Sequence, residues 1–123
     1  GEIAEKIVKE FKSAGGILDK DSLLNQQVEV YEPIITNYRG YTVAENRPPS
    51  QGMLLLEMLN IVEYFELSSY EHLDPNAIHL MIESKKRAFA DRNKYLADPK
   101  IKDIPLEILI SKSIVVVGLN GFG

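Results

Sequence analysis

A proline pair that runs straight into a nearly unbroken apolar stretch is the feature hardest to accommodate in a chain of this size. Asn46-Arg47-Pro48-Pro49-Ser50-Gln51-Gly52 leads into Met53 to Phe65, where only Glu57, Asn60 and Glu63 are polar, and they lie three apart. The prolines lack N–H groups and keep the residues before them out of the helical region, so the chain should arrive extended and then turn. Ser50 is placed to cap the first helical turn with its hydroxyl. A helix with one thin polar stripe is buried over most of its circumference. With 123 residues the chain is one domain or a piece of one, and it offers few surfaces to cover such a helix. The expectation is a segment that packs into something larger.

Before that stretch, Ile3, Ala4, Ile7, Val8 and Phe11 repeat at helical spacing, with Glu2 and Glu5 at the start and Lys12 at the end. Gly15-Gly16 should stop this helix, one of the two taking the left-handed cap. Asp19 reads as the N-cap of a short second helix through Leu24. From Gln27 the pattern alternates, Val28 and Val30 against Glu29 and Tyr31, which predicts a strand over 27–35. Asn37-Tyr38-Arg39-Gly40 has turn chemistry, and a second strand is predicted over 40–45. A lone two-stranded unit is marginal, so a larger sheet is expected.

After the apolar helix, Glu66 to His72 is a polar connection. Asp74 should cap a helix whose first position is Pro75. Ile78, Met81, Ile82, Ala88, Phe89, Tyr95 and Leu96 form its apolar stripe, and Pro99 bars continuation. Pro105 should start a shorter helix to Ile110, and Ile114 to Val117 is strand-like. The fold class predicted is mainly α with a short β-hairpin.

Composition narrows the function. A net charge of -4 and a pI near 5.2 give no support for nucleic-acid binding. Glu57 and Glu63 interrupt the longest candidate membrane span. The start is amphipathic and unlike a signal peptide. The absence of Cys removes thiol chemistry and leaves the compartment open. The chain opens at Gly1 without Met, which suggests an excerpt or a processed product.

Few residues invite chemistry. His79 and Glu83 are four apart on a predicted helix and could reach one metal, but two ligands do not make a site. Asp91 and Asp98, seven apart, could form an acid–base pair. A packed arrangement is favoured instead, with Asp91 and Arg92 paired or capping, because Arg92 falls on the apolar stripe and a buried charge needs a partner. Gly15-Gly16 and the glycines from 118 to 123 lack phosphate-loop spacing, and no Ser sits in a nucleophile elbow.

The chain resembles the gamma-glutamyltranspeptidase family, in the C-terminal part of its large subunit. The residues that carry this are Ile3-Ala4-Glu5-Lys6-Ile7-Val8, Gly15-Gly16-Ile17-Leu18 with Asp21-Ser22-Leu23, and Tyr38-Arg39-Gly40-Tyr41. They continue through Pro48-Pro49-Ser50-Gln51-Gly52, Leu59-Asn60-Ile61-Val62-Glu63, Ala88-Phe89-Ala90-Asp91-Arg92, Tyr95-Leu96-Ala97-Asp98-Pro99 and Ile104-Pro105. Each block alone is weak, and the ordered series is specific.

The resemblance implies the helical large-subunit portion of an N-terminal nucleophile hydrolase, an αββα fold made from a self-cleaving precursor. The small subunit's N-terminal Thr would attack a gamma-glutamyl amide and pass the acyl group to water, an amino acid or a peptide. Neither Thr36 nor Thr42 sits in that motif, and the large-subunit Arg similar in role to a carboxylate clamp would lie before Gly1. The motif residues Arg39, Gly40, Pro48, Pro49, Ser50, Gly52, Asn60, Asp91, Arg92, Asp98 and Pro99 are therefore expected to be structural. No catalytic residue, cofactor or metal is expected within the chain. The implied partners are the rest of the large subunit and the small subunit, with self-association of the chain alone.

Two departures stand out. Gln51 replaces a frequent second Ser, and from Ile114 the sequence leaves the family pattern. The division expected is a large-subunit helical region at 1–110 and a divergent or artefactual tail at 111–123. The competing readings are a non-catalytic helical interaction module and an inactive homologue.

Overall fold

The computed structural model describes residues 1–113, and a boundary between Tyr31 and Glu32 divides the chain into two compact units. The described fold is mainly helical with one two-stranded antiparallel hairpin. The strand-like run expected at Ile114 to Val117 lies outside the described residues.

In the first unit, α1 (Glu2–Ser13) and α2 (Lys20–Leu24) are the two helices the sequence predicts. α1 ends in a Schellman arrangement. Gly15 is left-handed, its N–H donates to the Lys12 carbonyl, and the Gly16 N–H donates to the Phe11 carbonyl. Asp19 caps α2, accepting from the Ser22 hydroxyl at 2.6 Å and the Ser22 N–H at 2.8 Å. These bonds, the hydroxyl first, hold its carboxyl below the ordinary carboxylate range. Neither helix contains a buried residue.

The second unit begins with the hairpin of β1 (Ile34–Tyr38) and β2 (Tyr41–Glu45), with Tyr38 opposite Tyr41 and Ile34 opposite Glu45. The first strand therefore starts after Pro33 and not at Gln27, and Val28 and Val30 are 94% and 97% exposed. The turn explains the difference. Arg39 and Gly40 have φ of 50° and 88°, the two positive values that a two-residue I′ connection requires. Such a turn sets the register, and β2 runs out of pairing partners at Ile34. The alternation over Val28 to Tyr31 has no strand beside it among the described residues.

The next element is α3 (Gly52–Val62), reached through a cis Pro48–Pro49 peptide with Pro48 buried. Ser50 does not cap it. The Ser50 N–H donates to the Arg47 carbonyl, which places Ser50 in a turn one residue before the N-cap, Gln51. Gly52 begins the helix against the end of β2. A Cβ there would stand 2.5 Å from the Asn46 carbonyl oxygen and 2.7 Å from the Glu45 Cβ.

Met53, Leu54 and Leu56 of α3 form the core with Ile34, Ala88 and Leu109. The polar stripe of α3 lies on its buried side: Glu57 and Asn60 are 3% and 1% exposed, whereas Leu55 is 38% exposed. One turn of 3-10 helix (Leu67–Ser69) leads to α4 (Pro75–Tyr95), capped by Asp74, whose carboxylate accepts from the Asn76 N–H at 2.7 Å. α4 presents only part of the expected stripe to the core: Ala88 is in it, and Tyr95 and Leu96 pack against it. Met81, Ile82 and Phe89 are exposed, and Ser84 and Ala88 are buried. Small residues let α3 approach closely, and Ser84 needs no outside partner because its hydroxyl donates to the Leu80 carbonyl at 2.7 Å. After Pro105, α5 (Leu106–Leu109) closes the core with Leu109.

The tight start of α3 yields a test. Gly52→Ala should raise helix propensity by about 1 kcal/mol, yet the clash with backbone should outweigh it and lower stability by roughly 1–3 kcal/mol. Urea unfolding reads the difference, and an unchanged or raised midpoint would contradict the close approach.

Candidate functional site

Within the second unit, the hairpin, α3 and the chain after α5 meet at one residue of the series that carries the resemblance. Asn60 is the centre. Its Oδ1 accepts from the Thr36 hydroxyl of β1 at 2.6 Å, and its Nδ2 donates to the Ile110 carbonyl at 2.7 Å. One buried amide thus ties three segments separated by 24 and 50 residues in sequence. Both halves of the amide are used, so its burial carries no unpaired polar atom.

The hairpin tip is held to the end of α3 by Arg39. Its N–H donates to Glu63 Oε1 at 2.7 Å, and its guanidinium reaches Glu66 at 3.2 Å and the Phe65 carbonyl at 2.8 Å. These bonds offset the left-handed backbone of Arg39, which costs a non-glycine residue about 1–2 kcal/mol. Gly40 completes the turn, donating its N–H to Asn37 Oδ1 at 3.0 Å. Lys112 pairs with the other oxygen of Glu63. The Lys112 bond first, and the Arg39 N–H second, hold the Glu63 carboxyl below its ordinary range.

Asp91 and Arg92 do not pair with each other. Arg92 Nε donates to Gln51 Oε1 at 2.8 Å, and another guanidinium nitrogen donates to Asn93 Oδ1 at 3.2 Å. Gln51, noted only as a departure from the family pattern, is thus the contact that fastens the start of α3 to α4. Asp91 neighbours Glu57 across the α3–α4 seam. Burial, and then Asp91, push the Glu57 carboxyl up to about 8. Glu57 was legible only as part of a polar stripe. The signal was its spacing of three from Asn60 in a run otherwise apolar.

The remaining sequence candidates are not brought together. Asp98 accepts from the Lys100 N–H at 2.9 Å in the exposed turn that contains Pro99, and takes no part with Asp91. Glu83 pairs with Lys86 at 2.6 Å, a bond that pulls its carboxyl below the ordinary range. Among the described residues no three His, Asp or Glu side chains are gathered as a metal would need. No helix among them is long and apolar enough to cross a membrane. An open cleft of about 610 Å³ runs beside β1, lined by Ile34, Ile35, Ile104, Leu106, Ile108 and Arg47 among others. These bonds position backbone, and at the α3–α4 seam two acids, Glu57 and Asp91, are neighbours.

A family model described as gamma-glutamyltranspeptidase matches residues 1–116. A glutathione hydrolase proenzyme of Escherichia coli (strain K12) is 37% identical over 114 residues, which is 92% of this chain and 20% of that relative. The fold superposes on Helicobacter pylori gamma-glutamyltranspeptidase with a TM-score of 0.87 at 32% identity, covering 100% of this chain and 36% of that one. It superposes on a cephalosporin acylase from Bacillus halodurans with a TM-score of 0.81 at 38% identity, covering 100% of this chain and 23% of that one. The chain thus spans about a fifth of the length of the curated relative.

Asn60→Ala should leave the half-buried Thr36 hydroxyl and Ile110 carbonyl without this partner, at roughly 1–3 kcal/mol in all, since water can reach each of them in part. Urea unfolding of the variant should show a correspondingly lower midpoint. A loss no larger than that of an exposed alanine substitution would mean that the amide ties nothing.

Proposed function

The chain belongs to the gamma-glutamyltranspeptidase family, and on that premise we propose that it is the C-terminal helical part of the large subunit of an N-terminal nucleophile hydrolase. The enzyme would transfer or hydrolyse gamma-glutamyl groups of glutathione-like compounds, or a related acyl amide. Its nucleophile is an N-terminal Thr outside the matched residues. The Thr hydroxyl oxygen attacks the amide carbonyl while the Thr α-amine takes the hydroxyl proton and delivers it to the departing amine. The resulting ester then passes to water, an amino acid or a peptide.

In that enzyme this segment is scaffold. The observation that carries the reading is the family match over residues 1–116 together with what the motif residues do here. Arg39, Gly40, Gly52, Asn60, Asp91 and Arg92 all fasten backbone or helices to one another. Pro48, Pro49 and Ser50 form the turn that delivers α3, and Asp98 and Pro99 the turn that follows α4. Large exposed apolar residues, among them Ile3, Ile17, Met81 and Ile82, support a segment that buries these faces against the rest of the large subunit and the small subunit. The cleft beside β1, whose one partner among the described residues is β2, suits a further stretch of that enzyme.

The purified chain should therefore release no aniline from a gamma-glutamyl anilide above the buffer rate, and should self-associate in sedimentation. Turnover by the purified chain would sink the scaffold reading. Reading the coding sequence past residue 123 is the companion test, since a Thr-led small-subunit segment is expected there.

A further inference from the structure

The seam between α3 and α4 sets Glu57 beside Asp91, and among the described residues no cation is one of the groups that shift the Glu57 carboxyl. Glu57 is almost fully buried, and its Oε2 has no hydrogen-bond partner among the described residues. Across the seam its neighbour is Asp91. Two cations close to Asp91 in sequence are engaged elsewhere. On α4, Arg92 donates to Gln51 and Asn93, and Lys94 lies over the Tyr95 ring at 4.7 Å, with the Asp91 charge only a minor influence on it. On α3, Glu63 is occupied by Lys112 and the Arg39 N–H. From the hairpin, the Thr36 hydroxyl is given to Asn60, and Glu45 lies against Gly52 more than a turn away. From the chain after α5, the Ile110 carbonyl is also taken by Asn60.

Two ionised carboxylates in such a place repel each other and lack the donor that a hydrogen bond needs. One proton between them removes a charge and supplies that donor. We propose that Glu57 and Asp91 form a one-proton latch, which holds α3 on α4 while the proton is shared and loosens the seam when both carboxyls are ionised. The latch would make the packing of this unit sensitive to pH in a range where ordinary carboxylates have long since lost their protons.

The direction follows from linkage. In the unfolded chain a Glu ionises near about 4.3, whereas in the fold Glu57 keeps its proton to about 8. As pH rises the unfolded state releases its proton first, so stability is full below the unfolded value. It then declines through the window up to about 8 and levels off beyond it.

The test is urea unfolding of the full chain and of Glu57→Gln, across the range from about pH 5 to about pH 9. The parent midpoint should fall steadily with rising pH. Glu57→Gln, whose amide donates permanently to Asp91, should lose most of that fall and be the more stable protein at the alkaline end. A carbon-detected titration of the Glu57 carboxyl in the parent, assigned by its disappearance in Glu57→Gln, should show the group changing near pH 8. This second readout stands even if the variant folds poorly. Equal declines in both proteins, or a Glu57 carboxyl that titrates in the ordinary range, overturn the latch.

Discussion

The tie made by Asn60 is the interaction on which the second unit depends. A hairpin of two five-residue strands has too little surface to be stable alone. Here it gains a place because β1 lies on α3 and Thr36 donates into the helix at Asn60. The same amide reaches the Ile110 carbonyl and sets where the chain runs after α5. An apolar residue at that position could fill the space but could not specify either partner. Buried polar groups left half-satisfied are costly, so the amide favours one arrangement of three segments over its neighbours.

Around that tie, each fastening has a different physical cause. Steric exclusion fixes the start of α3, where Gly52 meets Asn46 and Glu45. Charge and backbone geometry fix the hairpin tip, where Arg39 holds a left-handed conformation and is bonded to Glu63, Glu66 and Phe65. Close helix approach fixes α4, through Ser84 and Ala88, and Arg92 fastens the near end through Gln51. The acid pair sits in this frame, with Glu57 buried in the seam and Asp91 half-buried beside it. Several residues of the family pattern, Arg39, Gly52, Asn60 and Arg92, thus fasten neighbouring segments of the second unit.

Helix identity was legible wherever local chemistry decides it. Asp19, Asp74 and Pro75 act as the sequence predicts, because a capping bond or a missing N–H involves only neighbours in the chain. The turn at Arg39-Gly40 was legible for the same reason. What failed were inferences that depend on the other side of a contact. Of the strand placed over 27–35, only Ile34 and Ile35 are paired; the alternating part before Pro33 has no partner among the described residues, since the turn spends β2 on the residues after Pro33. Ser50 is a good capping residue set one place too early by its own turn. The polar stripe of α3 faces inward because Asn60 finds Thr36 and Ile110, neither of which its own helix announces. On α4 the large residues Met81, Ile82 and Phe89 are exposed, while the small Ser84 and Ala88 are buried and Tyr95 packs against the core.

The most direct test of Asn60 as the tie is amide hydrogen exchange of the parent and Asn60→Ala chains at one pH. The hairpin amides of Ile35 to Val43 and the amides of α3 should exchange slowly and at a common rate in the parent, as one cooperative unit. In the variant both sets should quicken together, while α1, which contains no buried residue, keeps its rates. Hairpin amides that exchange independently of α3 in the parent, or that are unmoved by the substitution, would show that the hairpin is held by something other than Asn60.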